Sequence, residues 1–417
     1  MEQELTMITQ NERQVLRGLA QKVAEIAALP IQGRRVNLWR CFNSLMPKRP
    51  MVLAYPEGGW RDLIPEKMVV CQNPILREWE LVLRKKIYQF ENIHDDQPVT
   101  EFFDIGWVVD FGDYGFKEED LRTSDLGSFT WNPPIKTYDD VKKLHIRQMQ
   151  IDRNETLRRV DMAKELFGDI LKVRVHGPLW WSLGMTEKLI KLRGLEQVMM
   201  DMYDNPQLLH DIMKLLQEDT IKMIEACEKE KILSGNSGPD DFVGSAGVGA
   251  INELPAPNFE GNIRIRDMWV LGESQELVGV GADQFYEFAL QYQIPILKRF
   301  GLICYGCCEP LDNKFDLIIK HLPRLRRVSV SPWCNREIAA EKLADRYIYS
   351  WKPNPSDICG PNVDYSFMEN QIKETLQIAK GCCIEIIMKD THTFNGDAQR
   401  ITTWSQIASR IAKESVR

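Results

Sequence analysis

The run Cys304-Tyr305-Gly306-Cys307-Cys308-Glu309-Pro310 places thiols and a carboxylate directly after an apolar stretch, Phe300-Gly301-Leu302-Ile303-Cys304. The stretch predicts a buried strand, and glycine and proline end it where a loop begins. Soft and hard donors at such a junction suit a catalytic metal. Seven of the ten cysteines follow residue 300: Cys304, Cys307, Cys308, Cys334, Cys359, Cys382 and Cys383. The chain opens Met1-Glu2-Gln3-Glu4, with no basic start and apolar core. A reducing cytoplasmic setting is therefore expected, and disulfides are the weaker reading.

Sulfur, imidazole and carboxylate together point to zinc, which needs about three protein ligands and one open position for catalysis. Cys307 is the first expected ligand, because it would share a face with Tyr305 if the strand continued. His392 is the second. Cys334, after Val328-Ser329-Val330-Ser331, and Glu273, after Met268-Trp269-Val270-Leu271, come next. Cys308 and Glu309 compete locally. The opposing reading makes these cysteines small buried hydrophobes, and it is preferred for Cys382 and Cys383. His176, before Gly177-Pro178, could serve a ligand or simply bond a turn. Glu57 and Asp104 are acid and base candidates or ordinary loop caps. Trp180, Trp181, Trp269, Trp333 and Trp351 recur at or near strand ends, which suits the lining of a site for a flat apolar ligand. Any single one reads more simply as rim packing.

The elements that would position these groups follow from periodicity. Val15, Leu16, Leu19, Val23, Ile26 and Ala27 make one apolar helical stripe, so residues 1–50 are expected to form a helical extension that covers the main domain. Strands are predicted at 51–55, 102–105, 171–175, 263–270, 302–304, 327–330, 347–350 and 383–388, most of them followed by helical runs. A helix is predicted over 155–167, and Asn205-Pro206 should break a long helical stretch over 195–227. About eight strand-then-helix units predict a (β/α)8 TIM barrel over residues 51–417, with the residues after each strand converging on one end. Gly244-Ser245-Ala246-Gly247-Val248-Gly249 lacks the dinucleotide fingerprint and reads as a flexible loop. The 417 residues are 44% hydrophobic with a net charge of −7, which argues against nonspecific nucleic-acid binding. No apolar run approaches the roughly 20 residues of a membrane span.

From about residue 51 to 410 the chain resembles the uroporphyrinogen decarboxylase superfamily, and within it the cobalamin-dependent methyltransferases. The resemblance rests on His176-Gly177-Pro178, Tyr203-Asp204-Asn205-Pro206-Gln207-Leu208-Leu209, Gly281-Ala282-Asp283-Gln284-Phe285-Tyr286-Glu287-Phe288 and the Cys307 strand end, in that order. The family's zinc branch has His-x-Cys at this strand end. Here Tyr305-Gly306-Cys307 keeps the cysteine and replaces the histidine, while His392 stands near the family's late cysteine. Tyr55-Pro56-Glu57-Gly58-Gly59-Trp60-Arg61 replaces the decarboxylases' Arg-Gln-Ala-Gly-Arg clamp, so that activity ranks lower.

The resemblance implies the substrate-side methyltransferase of an anaerobic O-demethylase. It would move a methyl group from a small methoxylated aromatic to the cobalt(I) of a separate corrinoid protein. Zinc held by Cys307, His392 and either Cys334 or Glu273 would act as Lewis acid. Tyr305 and Glu273 would be the catalytic side chains, with Tyr305 on the ether oxygen, and His176, Trp180, Trp181, Trp333 and Trp351 would bind substrate. No Asp-x-His-x-x-Gly cobalamin motif is present, so cobalamin would arrive on the partner. A homodimer fits this expectation, as does the absence of nucleic-acid or membrane partners. The alternatives are a methylcorrinoid:thiol methyltransferase, a decarboxylase and a noncatalytic ligand-binding barrel.

Overall fold

Short apolar runs form the strands of this chain, and the parity of their residues decides what each face meets. The computed structural model describes residues 8–116, 120–121, 130–178 and 180–416. Residues 1–7 of the predicted extension and Leu179 of the predicted loop after His176 lie outside them. Among the described residues, eight short strands run parallel in two groups: β1 (Met51–Ala54), β2 (Phe102–Ile105), β3 (Lys172–Val175), β4 (Trp269–Gly272), β5 (Leu302–Tyr305), β6 (Leu325–Val330), β7 (Ile348–Trp351) and β8 (Cys383–Met388). Six form one sheet in the order β1-β8-β7-β6-β5-β4, and β2 pairs with β3. The order advances one way along the sequence and returns only to place β1 beside β8. With right-handed crossovers, such an order puts the connecting helices on one face; a doubly wound sheet would reverse at a switch point. The fold is thus mixed α/β around a parallel six-stranded sheet.

Alternate residues enter different cores. Val52, Ala54, Val270, Ile303, Tyr305, Val328, Val330, Tyr349, Trp351, Ile384 and Ile386 join the large helix-side cluster. Met51, Leu53, Ile348, Cys383 and Ile387 pack on the other face with Trp39 and Phe42, and Trp269, Leu271, Leu302 and Cys304 pack there with Val243 and Ile251. Period-two alternation accounts for this division.

The edges of the six-stranded sheet are met by side chains and by single loop-backbone bonds, Asp96 N to the Val52 carbonyl and Leu183 N to the Leu271 carbonyl (both 2.9 Å), rather than by a further ladder. At β1, Asp96 Oδ2 accepts from Val52 N (2.9 Å), Asp95 Oδ2 accepts from Ala54 N (3.0 Å), and Gln89 Nε2 donates to the Ala54 carbonyl (3.1 Å). At β4, the Asn236 amide both accepts from Trp269 N (2.8 Å) and donates to Trp269 O (3.0 Å). These bonds answer the need of buried backbone groups for partners.

The predicted N-terminal helix is two helices. A capping box at Thr9 starts α1 (Gln10–Ala27), and Pro30 in the first turn starts α2 (Pro30–Asn43). The first buries Leu16, Ala20, Val23 and Ile26 beside Leu76, Leu83, Val160 and Ala163. The second covers Met51, Ile348 and Cys383, which begin their strands, so it closes the end opposite the loops that follow the strands. The break at Asn205-Pro206 falls between helices Leu195–Asp204 and Pro206–Lys229, and the helix expected over 155–167 is Arg153–Phe167.

Two expectations are corrected. The strand expected over 263–270 begins only at Trp269, because Asp267 accepts hydrogen bonds from the backbone of Arg264 and Ala256 and holds a turn at Ile265–Asp267. The glycine-rich segment is a buried hairpin, Phe242–Val243 against Gly247–Val248, lying on the inner face of the sheet. Its burial follows from Arg327 and Glu385, which are 1% and 0% exposed and joined at 2.8 Å. The guanidinium also donates to Asn43 Oδ1 (2.7 Å) and the Val248 carbonyl (3.4 Å). A Cβ on Gly247 would stand 2.6 Å from Arg327 Cζ, so glycine is required there by the close approach.

Glu385→Gln is expected to lower stability by roughly 3–5 kcal/mol, because it strands a buried guanidinium. The double change Arg327→Met with Glu385→Met should cost less than Glu385→Gln. Urea unfolding midpoints of the three proteins check the order.

Candidate functional site

Residues at the ends of β1, β3 and β8, together with the hairpin, border a cavity of about 540 Å³. Tyr55, Trp180, Trp181, Phe242 and Trp269 give it aromatic walls. His176, Asp241, Asp104, Glu57 and Lys389 supply its polar groups. His176 Nε2 lies 2.9 Å from Asp241 Oδ1. Burial pulls the His176 pKa down, but the Asp241 hydrogen bond and charge outweigh it and leave it raised. Asp104 is held by Arg174 at 2.5 Å, which makes it an ion-pair partner at the wall. Burial raises the Glu57 carboxyl, and the charge of Asp390 adds to the effect. Tyr55 and Trp180 line this cavity, and their hydroxyl and indole N–H are buried without a hydrogen-bond partner among the described residues. Buried polar atoms of this kind ordinarily find partners.

Below the cavity floor, Lys389 Nζ lies 3.6 Å from Cys307 Sγ, 3.3 Å from Ser245 Oγ and 3.2 Å from Asp390. Cys307 Sγ also meets Ser245 Oγ at 3.4 Å and Cys308 Sγ at 3.5 Å. The Cys308 hydrogen bond lowers the Cys307 thiol to about 7; burial opposes this and Lys389 assists it. Cys308 moves the other way, raised by its bond to Cys307 and by burial. Burial alone would lower Lys389, yet the charges of Cys307, Asp390 and Cys308 raise it. Nearby Lys352, 3% exposed, bonds to the Ser350 carbonyl at 3.1 Å, and burial brings it down to about 8.

The expected site residues divide. His176, Trp180 and Trp181 come to the cavity. Cys307 reaches its underside through Lys389, but not by the expected continuation of the strand. Gly306 has a φ of +88°, which breaks the alternation, so Tyr305 stays on the helix-side face while Cys307 turns toward the hairpin. Tyr305 is fully buried, donates to Gln293 Oε1 at 2.6 Å and meets Ser274 Oγ at 3.1 Å. Trp351 belongs to the helix-side core by the same parity, and Trp333 is 63% exposed in the loop after β6. None of these three is among the cavity's lining residues.

Glu273 accepts from Ser182 Oγ (2.9 Å) and Gln275 N (3.0 Å), and burial, with the charges of Glu276 and Glu309, raises its pKa well above the usual range. Glu309 accepts from the backbone of Ser274 and Cys307, both at 2.9 Å, and so organises the loop after β5. Cys334 Sγ accepts from Leu311 N at 3.3 Å. His392 stands beside Gly58, its Cα 3.1 Å from where a Cβ on that glycine would be.

Zinc requires several of these donors to converge. Among the described residues, no three His, Cys, Asp or Glu side chains are grouped so that they could hold a metal ion. Cys307, Cys334 and Glu273 each have protein partners instead, and the cation nearest Cys307 is the Lys389 ammonium. The set Cys307, His392, Cys334 and Glu273 does not fit a resident zinc as these side chains stand.

The sequence reading missed Asp241, Ser245, Lys352 and Lys389. The available signal was Glu385 and Lys389, two charged residues of one parity in or just beyond the apolar run Cys383–Met388.

No family model matches the sequence, and no curated protein matches it. Among solved structures, a methyltransferase from Methanosarcina mazei superposes with a TM-score of 0.49 at 10% identity, covering 89% of this chain and 97% of that one.

Elemental analysis of the purified chain is expected to find well under one zinc per chain, unchanged in Cys307→Ala. One zinc per chain, lost in that variant, would show that the cysteine loop rearranges around metal.

Proposed function

We propose that the chain is a methyltransferase that takes the methyl group of a small methoxylated aromatic and delivers it to a separate corrinoid protein docked over the cavity mouth. The reading takes β1–β8 as one (β/α)8 barrel, supported by the one-way strand order and by the parallel pairing of β2 with β3. The observation that carries it is the joining of aromatic walls with the His176–Asp241 pair in one cavity.

An aryl methyl ether resists cleavage because phenolate is a poor leaving group, so the departing oxygen needs a proton. His176 suits that task. With Nε2 on Asp241, Nδ1 is the nitrogen that can serve a ligand, and the raised pKa keeps the ring protonated further toward neutrality. Trp180, Trp181 and Trp269 hold the ring. The corrinoid, when its carrier is docked, supplies the nucleophile for the methyl carbon.

Incubation with methoxylated benzenes and a reduced corrinoid protein should release the corresponding phenol and methylate the corrinoid, read by chromatography and visible absorption. His176→Asn is expected to lower kcat by about 10²–10⁴-fold; full turnover in that variant would remove His176 as proton donor, and turnover without corrinoid would remove the partner.

The raised His176 pKa also fixes a stability trend. Its stabilising contribution is fully present below the ordinary value of 6.5 and is lost as pH rises through the raised folded value. Asp241→Asn should flatten that part of the curve of unfolding midpoint against pH.

A further inference from the structure

We propose that Cys307 and Cys308 form a peroxide-reactive thiol pair, in which Cys307, set against Lys389, is oxidised first and Cys308 closes on it as a disulfide. Geometry carries the inference. The two sulfurs are 3.5 Å apart, Lys389 Nζ lies 3.6 Å from Cys307 Sγ, and the Ser245 hydroxyl approaches the same sulfur at 3.4 Å. A cation and a hydroxyl on one sulfur favour its thiolate, the form that reacts. Cys307 is 3% exposed, but Cys308 is half-buried and its sulfur meets Asp390 Oδ2 at 3.5 Å, at a carboxylate 37% exposed. A small oxidant would reach the pair from the Asp390 side.

The chemistry balances with hydrogen peroxide as the named oxidant. The Cys307 thiolate attacks one peroxide oxygen, the O–O bond breaks, and the departing hydroxide takes a proton to become water, leaving a sulfenic acid. The Cys308 sulfur then attacks the sulfenic sulfur. The S–S bond forms, the S–O bond breaks, and the hydroxyl leaves with the Cys308 proton as a second water. Two thiols are oxidised and one peroxide is reduced.

Adjacent Cα atoms are about 3.8 Å apart, closer than the usual disulfide span of about 4.4–6.8 Å. The bridge is consequently strained and readily reduced, which makes it a reversible switch. Its formation removes one anionic partner of Lys389 and leaves Asp390 as the other, beside the cavity that Lys389 lines.

The test uses the full chain with its metal content measured beforehand. Hydrogen peroxide should produce a species lighter by two hydrogens, a peptide with Cys307 joined to Cys308, and a change in tryptophan emission from Trp180, Trp181 and Trp269, all reversed by dithiothreitol. Cys308→Ser should instead gain one oxygen at Cys307, trapped by a sulfenic-acid reagent. Cys307→Ser should slow peroxide consumption by at least about tenfold. Unchanged mass and thiol count in folded wild-type protein would overturn the proposal, as would protection of both thiols by stoichiometric bound metal. These readouts require no methyl transfer, so they stand or fall apart from the proposed function.

Discussion

The Arg327–Glu385 ion pair, withdrawn from water inside the fold, is the constraint around which the inner face is arranged. Two charges at this depth stay only if their remaining hydrogen-bonding capacity is largely met. Asn43 from α2 and the Val248 carbonyl from the hairpin meet part of it on the guanidinium, and the Ser350 hydroxyl donates to the carboxylate. One pair thus ties together the helix that closes the bottom, the hairpin that covers the inner face, and strands β6, β7 and β8. It also explains Gly247, whose missing side chain lets the backbone lie against the guanidinium.

The polarity begun by that pair continues toward the cavity. Ser350 contacts Lys352 as well as Glu385, and Lys389 extends beyond β8 to Cys307 and Ser245. Cations accumulate along this line: Arg327 and Lys352 lie near Glu385, and Lys389 lies beside Asp390. A thiolate at Cys307 restores the balance of charge, which is the physical sense of the lowered Cys307 thiol and the raised Lys389 ammonium. The same ammonium borders the cavity, so one side chain touches both the buried sulfur and the cavity wall.

The strands were legible because they are apolar runs ended by glycine, proline or charge, and seven of the eight fall close to their predicted places. The exception, the expected 263–270 strand, was delayed by backbone bonds to Asp267 that no periodicity announces. His176, Trp180 and Trp181 reach the cavity because they follow β3 directly. Tyr305 and Trp351 were misplaced for a definite reason: both end strands, but parity turns them to the helices. Gly306 then reverses the direction that Cys307 would otherwise have taken.

What the sequence determined by itself was the succession of strands and helices, the helical N-terminus and the gathering of thiols at the turn after β5, all of which depend on local pattern. Tertiary structure alone decided that the glycine-rich segment is a buried hairpin, that Lys389 is the partner of Cys307, and that Asp241 is the partner of His176. Those partners lie 82 and 65 residues apart in the chain. Contacts at such separations follow from strand order, face parity and the need of buried charges for partners, and none of these is visible in the spacing of neighbouring residues.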